Sequence, residues 1–378
     1  MVTTLHHLRA FAVGRSLFPP TTLQGAIDAL GFVQADPIRA PARAQDLTLR
    51  HRVLGYRSGD LERRYPELAV EEDVFINYGF VTRALRARMH PRTGAALRPT
   101  ARNTRAQAVL AFVRERGAVH PREVDAQFSP GTVTNYWGGS SSATTHLLEA
   151  MHYKGLLRVA RREQGIRIYA VQEWPTVVPN GTPCVQPAGA AARRANVDAI
   201  VDTLVRKYAP MPAASLSYVV SRLRYAVPQW RGELPAALLR AKRRLAHAPV
   251  DGVEWYWPAD ETAGAIGAAK ATPYGGPDLV RLLAPFDPVV WDRRRFEMFW
   301  RWAYRFEAYT PASKRKLGYY ALPMLWRDRV IGWGNLAVRD GALHADIGYV
   351  NASPPRDLRF KREVEAELER ARSFLRLD

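Results

Sequence analysis

The repeat distance of apolar residues changes once along this chain, near Val250, and that change limits the folds it can adopt. Before Val250, apolar residues recur every three or four positions, as Val109, Leu110 and Val113 do, which predicts amphipathic helices. After Val250 the period shortens towards two, with turn residues such as 339–341 between the segments, which predicts strands. We therefore predict an α+β protein in which helical modules precede a β-rich domain.

The helical part contains one order of elements that indicates a known motif. Helices are predicted over 105–116, shortly after Val119, and over 144–153, and two strands follow over 156–160 and 166–171. Three helices and a hairpin in this order are typical of the winged helix-turn-helix. The other elements predicted from periodicity and turn signals are helices over 4–17, 23–30, 41–54, 294–306 and 359–375, a helical unit over 196–247, and strands over 253–257, 279–283, 319–326, 330–338 and 342–349.

Length and local composition predict several domains. The 378 residues exceed the length at which a single hydrophobic core usually stops growing. The stretch 174–192 is rich in Pro, Gly and Ala, which is typical of a connection between domains. The predicted division is a first module over 1–100, a second over 101–175, a linker over 176–194, a third module over 195–250, and a β-rich domain with a C-terminal helix over 251–378.

The charge balance indicates a polyanionic partner. The chain has 55 Lys and Arg against 36 Asp and Glu, a net charge of +19 and a pI near 10.4. Such a field favours nucleic acid. A GC-rich genome can explain why only seven of the basic residues are Lys, but it does not explain the excess over acidic residues. Together with the winged motif, this predicts double-stranded DNA as the partner.

Other features of the sequence exclude several classes of protein. No apolar run approaches the roughly 20 residues of a membrane-spanning helix, and the first residues do not resemble a secretory signal. The single cysteine, Cys184, excludes an internal disulfide and Cys-based zinc sites. No His-Glu-x-x-His pattern indicates a metal. We expect a monomer in the cytoplasm that acts away from membranes and needs neither metal nor cofactor.

Residues 31–37 place two polar side chains, Gln34 and Asp36, between apolar neighbours. Gly31 follows a predicted helix, and Pro37 limits the length of any strand at this point. In extended backbone, residues two apart lie on the same face. Such a pair could orient a water molecule, or it could be the polar edge of a strand that faces solvent. The residues alone leave both interpretations open.

A block near the C-terminus resembles a known family. It reads Leu-Ala-Pro-Phe-Asp-Pro-Val-Val-Trp-Asp-Arg from Leu283, Tyr-Arg-Phe-Glu-Ala-Tyr-Thr-Pro from Tyr304, and Gly-Tyr-Tyr-Ala-Leu-Pro from Gly318. The block is similar to the YcaQ/AlkZ family of bacterial DNA glycosylases, and a looser similarity covers the whole chain. Those enzymes remove N7-alkylpurines and unhook interstrand crosslinks. The resemblance implies three tandem winged-helix modules followed by a C-terminal β-barrel-like domain.

The resemblance also assigns a catalytic motif. The family has Gln, an apolar residue, then Gln or Asp, which fall here on Gln34, Ala35 and Asp36 in the Gln-x-Asp form of the YcaQ branch. An N7-alkylated purine is a cation and leaves easily, so a carboxylate need only stabilise the oxocarbenium-like sugar and accept a proton from water. This implies that role for Asp36, while Gln34 holds the water. Because no candidate lysine nucleophile lies near the motif in sequence, we predict a monofunctional glycosylase that leaves an abasic site.

Two segments depart from the family pattern. Residues 74–77, Val-Phe-Ile-Asn, stand where the branch has Trp-Ala-His-Glu, and Asn335 and Ala337 stand where the family has Asp and Lys. These departures leave open which base is removed and whether crosslinks are unhooked. A glycosylase for a different modified base is therefore an alternative, as is a non-catalytic winged-helix DNA-binding protein such as a regulator or damage sensor.

DNA contacts are expected from two places. The hairpin of the second module carries Arg161, Arg162 and Arg167, and Arg43 and Arg50 lie beside the motif. Arginines on a winged hairpin and near a reactive site are suited to contact phosphates.

Overall fold

The chain folds as two compact units. The computed structural model describes residues 3–93, 104–128, 132–134, 140–174, 189–261, 276 and 278–377. The first unit combines Met1–Asp60, Val201–Val220 and Leu238–Asp378, and the second combines Leu61–Ile200 and Ser221–Ala237. The five-part division predicted from the sequence stays a prediction. Cys184 and residues 175–188 of the predicted linker region lie outside the described residues.

The described helices alternate with strands along the chain. In chain order they are α1 Leu5–Ser16, α2 Leu23–Leu30, α3 Ala44–Leu49, α4 Asp60–Arg64, α5 Arg83–Met89, α6 Thr104–Arg116, α7 Pro121–Phe128, α8 Ala143–Lys154, α9 Gly189–Tyr208, α10 Ala213–Arg222, α11 Leu234–Arg244, α12 Arg293–Trp300 and α13 Leu358–Leu375.

The described strands are mostly short. In chain order they are β1 Phe32–Gln34, β2 Val70–Val74, β3 Tyr78–Thr82, β4 Ala118–Val119, β5 Thr132–Thr134, β6 Ser140–Ser142, β7 Leu157–Glu163, β8 Ile166–Val171, β9 Met211–Pro212, β10 Ala246–Val250, β11 Val253–Trp257, β12 Val280–Leu282, β13 Leu322–Trp326, β14 Arg329–Arg339 and β15 Ala342–Tyr349.

The first unit is built on a four-stranded antiparallel sheet in the order β12-β13-β14-β15. The buried core beside it contains Leu283, Val289, Phe296 and Leu325, with Val13 from α1. Full burial of such side chains stabilises a fold by about 1.5–3 kcal/mol each. The mixed α and β content agrees with the predicted class. Within the described residues, this sheet is what stands for the predicted β-barrel-like domain.

The second unit contains the elements predicted as a winged helix-turn-helix. Helices α6, α7 and α8 precede the β7–β8 hairpin, and β4 adds to its edge in the order β4-β8-β7. The observed bounds lie close to the predicted ones. The loop predicted over 137–142 is described only from Ser140, where β6 begins.

The second unit also buries three consecutive acidic residues of β2, namely Glu71, Glu72 and Asp73. Buried carboxylates are costly unless they are paired and hydrogen-bonded. Each of them has an arginine partner: Arg158 with Glu71 at 2.8 Å, Arg162 with Glu72 at 2.6 Å, and Arg92 with Asp73 at 2.8 Å. Much of the basic charge is therefore used inside the fold.

Helix ends account for the main differences from the predicted elements. The helix predicted over 294–306 ends at Trp300, because Arg301 adopts a left-handed conformation with φ of 54° and caps the helix without a glycine to mark the stop. The helix predicted over 41–54 is limited to Ala44–Leu49. Within the region predicted as wholly helical, the short strand Met211–Pro212 pairs with β11.

The predicted stop at Gly31 is confirmed. Gly31 caps α2 with φ of 65°, a conformation that favours glycine, and a Cβ there would lie 2.7 Å from Thr203. At the start of α2, the N-cap is Thr22, whose side chain accepts the N–H of Gly25. The predicted capping box of Thr21 with Gln24 is therefore wrong, since Gln24 instead donates to Asp28.

Candidate active site

The predicted motif lies where β1 ends. Gln34 is the last residue of the strand, and Asp36 follows in irregular backbone with 9% of its surface exposed. The backbone N–H of Asp36 donates to Oε1 of Gln45 in α3 at 3.3 Å. Gln45 is itself buried. The helix after the motif therefore helps to fix the motif's backbone.

The side chain of Gln34 is oriented by a tryptophan. Nε1 of Trp291 donates to Oε1 of Gln34 at 2.9 Å. The indole packs against the ring of Tyr208, with 4.8 Å between ring centroids. Because the amide oxygen accepts the indole N–H, the amide nitrogen is the atom that Gln34 can direct at a reactant as a donor. Trp291 belongs to the family-like block, although the sequence gave no sign of this contact.

The carboxylate of Asp36 is held by its own turn. Oδ1 accepts the backbone N–H of Ile38 at 2.9 Å. Burial raises the pKa of Asp36, and the Ile38 N–H opposes part of that rise. A carboxylate that is partly desolvated and fixed in position is suited to stabilise a nearby positive charge and to accept a proton.

Tyrosines from the family-like block lie within the electrostatic reach of Asp36. Burial, followed by the negative charge of Asp36, raises the pKa of both Tyr309 and Tyr320. Tyr309 is 74% exposed, whereas Tyr320 is 2% exposed. The carboxylate thus has one solvent-facing ring and one enclosed phenol in its surroundings. Sequence reasoning quoted these residues as part of the block without giving them a role.

A lysine lies beside the motif in space. Nζ of Lys207, on α9, donates a hydrogen bond to the backbone oxygen of Phe32 in β1. Burial, followed by the charge of Arg52, lowers the pKa of Lys207 to about 7. The sequence-based statement that no lysine lies near the motif is therefore wrong in space. Lys207 is buried and bound to the strand's backbone, so its position favours support of β1 over attack on a substrate.

The most family-like segment contributes an ion pair that anchors the region of the motif. Arg52 donates to Asp287 at 2.7 and 3.0 Å, and both side chains are completely buried. Arg52 also donates to the backbone oxygens of Ser16 and Thr48. A buried pair is favourable only with such additional hydrogen bonds. The specificity of this block thus has a structural basis in the placement of Asp287.

The two arginines predicted beside the motif have different surroundings. Arg50 is 4% exposed in its side chain, forms an ion pair with Glu367, and donates to Leu282 at 3.2 Å. That placement does not favour contact with DNA. Arg43 is half-buried immediately before α3. Burial raises the pKa of Asp46, and the charge of Arg43 opposes part of that rise.

The three hairpin arginines also differ. Arg162 is 11% exposed and donates two hydrogen bonds to Glu72, each at 2.6 Å. Arg167 pairs with Glu149 at 2.9 Å and lies 4.3 Å from the ring of Tyr78. Arg161 is 49% exposed and pairs with a similarly exposed carboxylate, that of Glu163. The hairpin therefore directs Arg162 inward and leaves Arg161 as the most accessible of the three.

The departures from the family pattern occupy two separate places. Phe75 and Ile76 lie fully buried in the turn between β2 and β3, where Asn77 accepts a hydrogen bond from Arg222 at 3.0 Å. Asn335, on β14, donates to the backbone oxygen of Leu317 at 2.7 Å. In both places the departing residues have structural contacts.

Two searches over the described residues gave no site or span. No group of three His, Cys, Asp or Glu side chains there is arranged to hold a metal ion. The described helices include none with the length and apolar character that crossing a membrane requires. Hydrolysis without a metal stays a prediction.

Comparisons with known proteins agree with the family-like block. The sequence model of the DNA glycosylase AlkZ-like family matches residues 27–374. Among solved structures, the chain is similar to Streptomyces sahachiroi DNA glycosylase AlkZ, with a TM-score of 0.62 at 11% sequence identity. That similarity covers 99% of this chain and 97% of the other, and it shows a shared fold. Because the family match spans most of the sequence, the chain belongs to the DNA glycosylase AlkZ-like family and is a DNA glycosylase, a hydrolase of N-glycosyl bonds.

Proposed function

We propose that this enzyme is a monofunctional glycosylase that removes cationic N7-alkylated purines from double-stranded DNA, with Gln34 and Asp36 as its catalytic residues. The observation that carries the proposal is the pairing of an oriented amide with a fixed, partly buried carboxylate. Trp291 holds Gln34 and the Ile38 N–H holds Asp36. The raised pKa of Asp36 fits a group that accepts a proton during the reaction.

The proposed reaction is a hydrolysis. The bond between C1′ and N9 breaks, and its electron pair goes to the purine, whose cationic ring becomes neutral as it departs. Asp36 stabilises the positive sugar through its negative charge. A water held by the amide N–H of Gln34 forms the new C1′–O bond, and its proton passes to Asp36. The products are the free base and an abasic site, and the reaction needs no lysine nucleophile.

The proposed DNA interface uses winged modules. We infer three tandem winged-helix modules and a β-barrel-like domain, supported by the helix and strand order of the second unit and by the family match. Arg161, Arg167 and Arg43 are the predicted contact residues whose surroundings best fit a phosphate partner. We further propose that the enzyme acts as a monomer on the chromosome, which in a bacterium lies in the cytoplasm.

The identity of the lesion is the part of the proposal that depends on the departing residues. Residues 74–77, Asn335 and Ala337 differ from the family pattern, so a different modified base is the second candidate substrate. Crosslink unhooking is a further candidate activity. A panel of duplexes with N7-methylguanine, other alkylated bases and a nitrogen-mustard crosslink separates these substrates.

One assay tests the catalytic assignment. The wild type and an Asp36→Asn variant are incubated with duplex DNA that contains N7-methylguanine, and alkali then cleaves abasic sites. We expect release by the wild type and a loss of about 10²–10⁴-fold in the variant, the range of general-base catalysis. Release by Asp36→Asn at the wild-type rate would contradict the role of Asp36.

Asp46→Asn is the matched control. Asp46 is another buried carboxyl whose pKa is raised by burial, but it accepts hydrogen bonds from Tyr56 and Gly59 within the fold. This variant should retain the release rate per folded molecule, with the folded fraction measured by circular dichroism. A loss equal to that of Asp36→Asn would indicate a general effect of removing buried charge.

A further inference from the structure

A buried phenol beside Asp36 lacks a hydrogen bond. The hydroxyl of Tyr320 is enclosed and has no hydrogen-bond partner among the described residues. The neighbouring Tyr304 differs, because its hydroxyl donates to the backbone oxygen of Ala321 at 2.7 Å. A buried polar group without a partner destabilises a fold by about 1–3 kcal/mol, and such groups are uncommon. Packing alone would be served as well by phenylalanine at position 320.

The surroundings of Tyr320 direct attention to the active site. The ring meets Phe306 edge-on, with 5.2 Å between centroids. The charged and titratable groups that act on its hydroxyl are Asp36, Tyr304, Tyr309 and Arg293. Burial is the main cause that raises the pKa of Tyr320, with Asp36 next, so the phenol is protonated at neutral pH. A neutral hydroxyl thus lies within electrostatic reach of the carboxylate proposed to activate water.

We propose that the hydroxyl of Tyr320 binds the nucleophilic water together with Gln34 and Asp36. This rests on the function proposed above. The water donates one hydrogen bond to Asp36 and the other to the phenol oxygen, and it accepts one from the amide N–H of Gln34. Its remaining lone pair faces C1′. When the C1′–O bond forms, the proton transferred is the one directed at Asp36, and Tyr320 keeps its own.

The arrangement gives each group the role that its chemistry allows. A water with three protein partners is held in one orientation, which reduces the entropy lost on reaching the transition state. An ordered water with two to four polar partners is also the usual way in which a buried hydroxyl is satisfied. The water would therefore meet the hydrogen-bonding need of Tyr320 and the positioning need of the reaction together.

Tyr320→Phe tests the proposal because it removes only the hydroxyl. We expect the single-turnover release of N7-methylguanine to fall on the order of 10-fold, while the Kd for lesion-containing duplex and the Tm stay at wild-type values. Removal of a buried group without a partner should not lower stability. Tyr304→Phe is the control, and it should lower Tm while keeping the release rate per folded molecule.

The outcomes separate this proposal from the catalytic assignment. Tyr320→Phe with a release rate within twofold of the wild type would overturn the role of Tyr320, and so would a weaker Kd at an unchanged rate, since that places the hydroxyl on DNA. If Asp36→Asn is inactive in the same assay, the catalytic assignment survives that result. If Asp36→Asn is fully active, the catalytic assignment fails and the water site fails with it.

Discussion

The buried ion pair between Arg162 and Glu72 gives a sharp prediction about stability, because Arg162 was expected from the sequence to contact DNA. Arg162 supplies two of the hydrogen bonds to the fully buried Glu72 carboxylate, and the hydroxyl of Tyr78 supplies another at 2.7 Å. Removing one partner of such a pair typically costs about 3–5 kcal/mol. Arg167, at 3.7 Å from Glu72, compensates in part. We therefore expect Arg162→Met to destabilise by about 3 kcal/mol.

Thermal and urea unfolding followed by circular dichroism measure this change. For a unit of this size, a loss of 3 kcal/mol lowers Tm by roughly 6–12 °C. Arg161→Met is the matched control on the same strand, because an exposed pair contributes only about 0–1 kcal/mol. A change below 1 kcal/mol in Arg162→Met would refute the reasoning. Adding Glu72→Gln to Arg162→Met should recover part of the loss, since the unpaired charge is then gone.

The same pair gives a dependence on pH with a defined sign. Burial by itself would raise the pKa of Glu72, but the guanidinium of Arg162 outweighs it, so the pKa is lowered from 4.5. A carboxyl whose pKa is depressed in the folded state stabilises the fold above its unfolded pKa and loses that contribution as the pH falls through the folded value. The wild type should therefore lose stability below about pH 4.5. Arg162→Met should begin to lose it at higher pH.

Three further predictions follow from the first unit. Trp291→Phe removes the N–H that Gln34 accepts, so release should slow roughly 2- to 10-fold at an unchanged Kd, as single-turnover kinetics would measure; an unchanged rate would argue against positioning by the indole. Burial lowers the pKa of Lys207 from 10.5 to about 7, so stability should rise with pH between those values, and urea unfolding of Lys207→Met should lack that slope. Arg50→Met should destabilise the fold by about 3 kcal/mol, because it leaves the buried Glu367 without its main partner, and should leave the salt dependence of DNA binding unchanged. A flatter salt dependence in that variant would show that Arg50 reaches a phosphate.

The order of elements was accessible from the sequence where local signals are strong. The stop at Gly31, the strands of the C-terminal sheet and the hairpin over 157–171 lie close to their predicted positions. Periodicity and turn residues act over a few positions, so they can be read without knowledge of the fold. The end of α12 was missed for the same reason, because Arg301 adopts a left-handed conformation that no local signal marks.

The candidate site was predicted only in its two motif residues. Gln34 and Asp36 came from spacing and from the family resemblance, whereas Trp291, which orients Gln34, lies 257 positions away. Lys207, which bonds to the strand of the motif, lies 175 positions from Phe32. Contacts at such separations depend on how distant segments pack, and neither partner carries a local signature of the other.

The sequence by itself determined the mixed class, the family and the motif, because these depend on local period, turn chemistry and a specific run of residues. Only the tertiary structure decided which charges remain available. Arg50 and Arg162 are turned into buried ion pairs, whereas Arg161 stays exposed. The physical reason is that a buried carboxylate such as Glu72 or Glu367 requires a cation beside it, and that requirement arises only once the chain has folded.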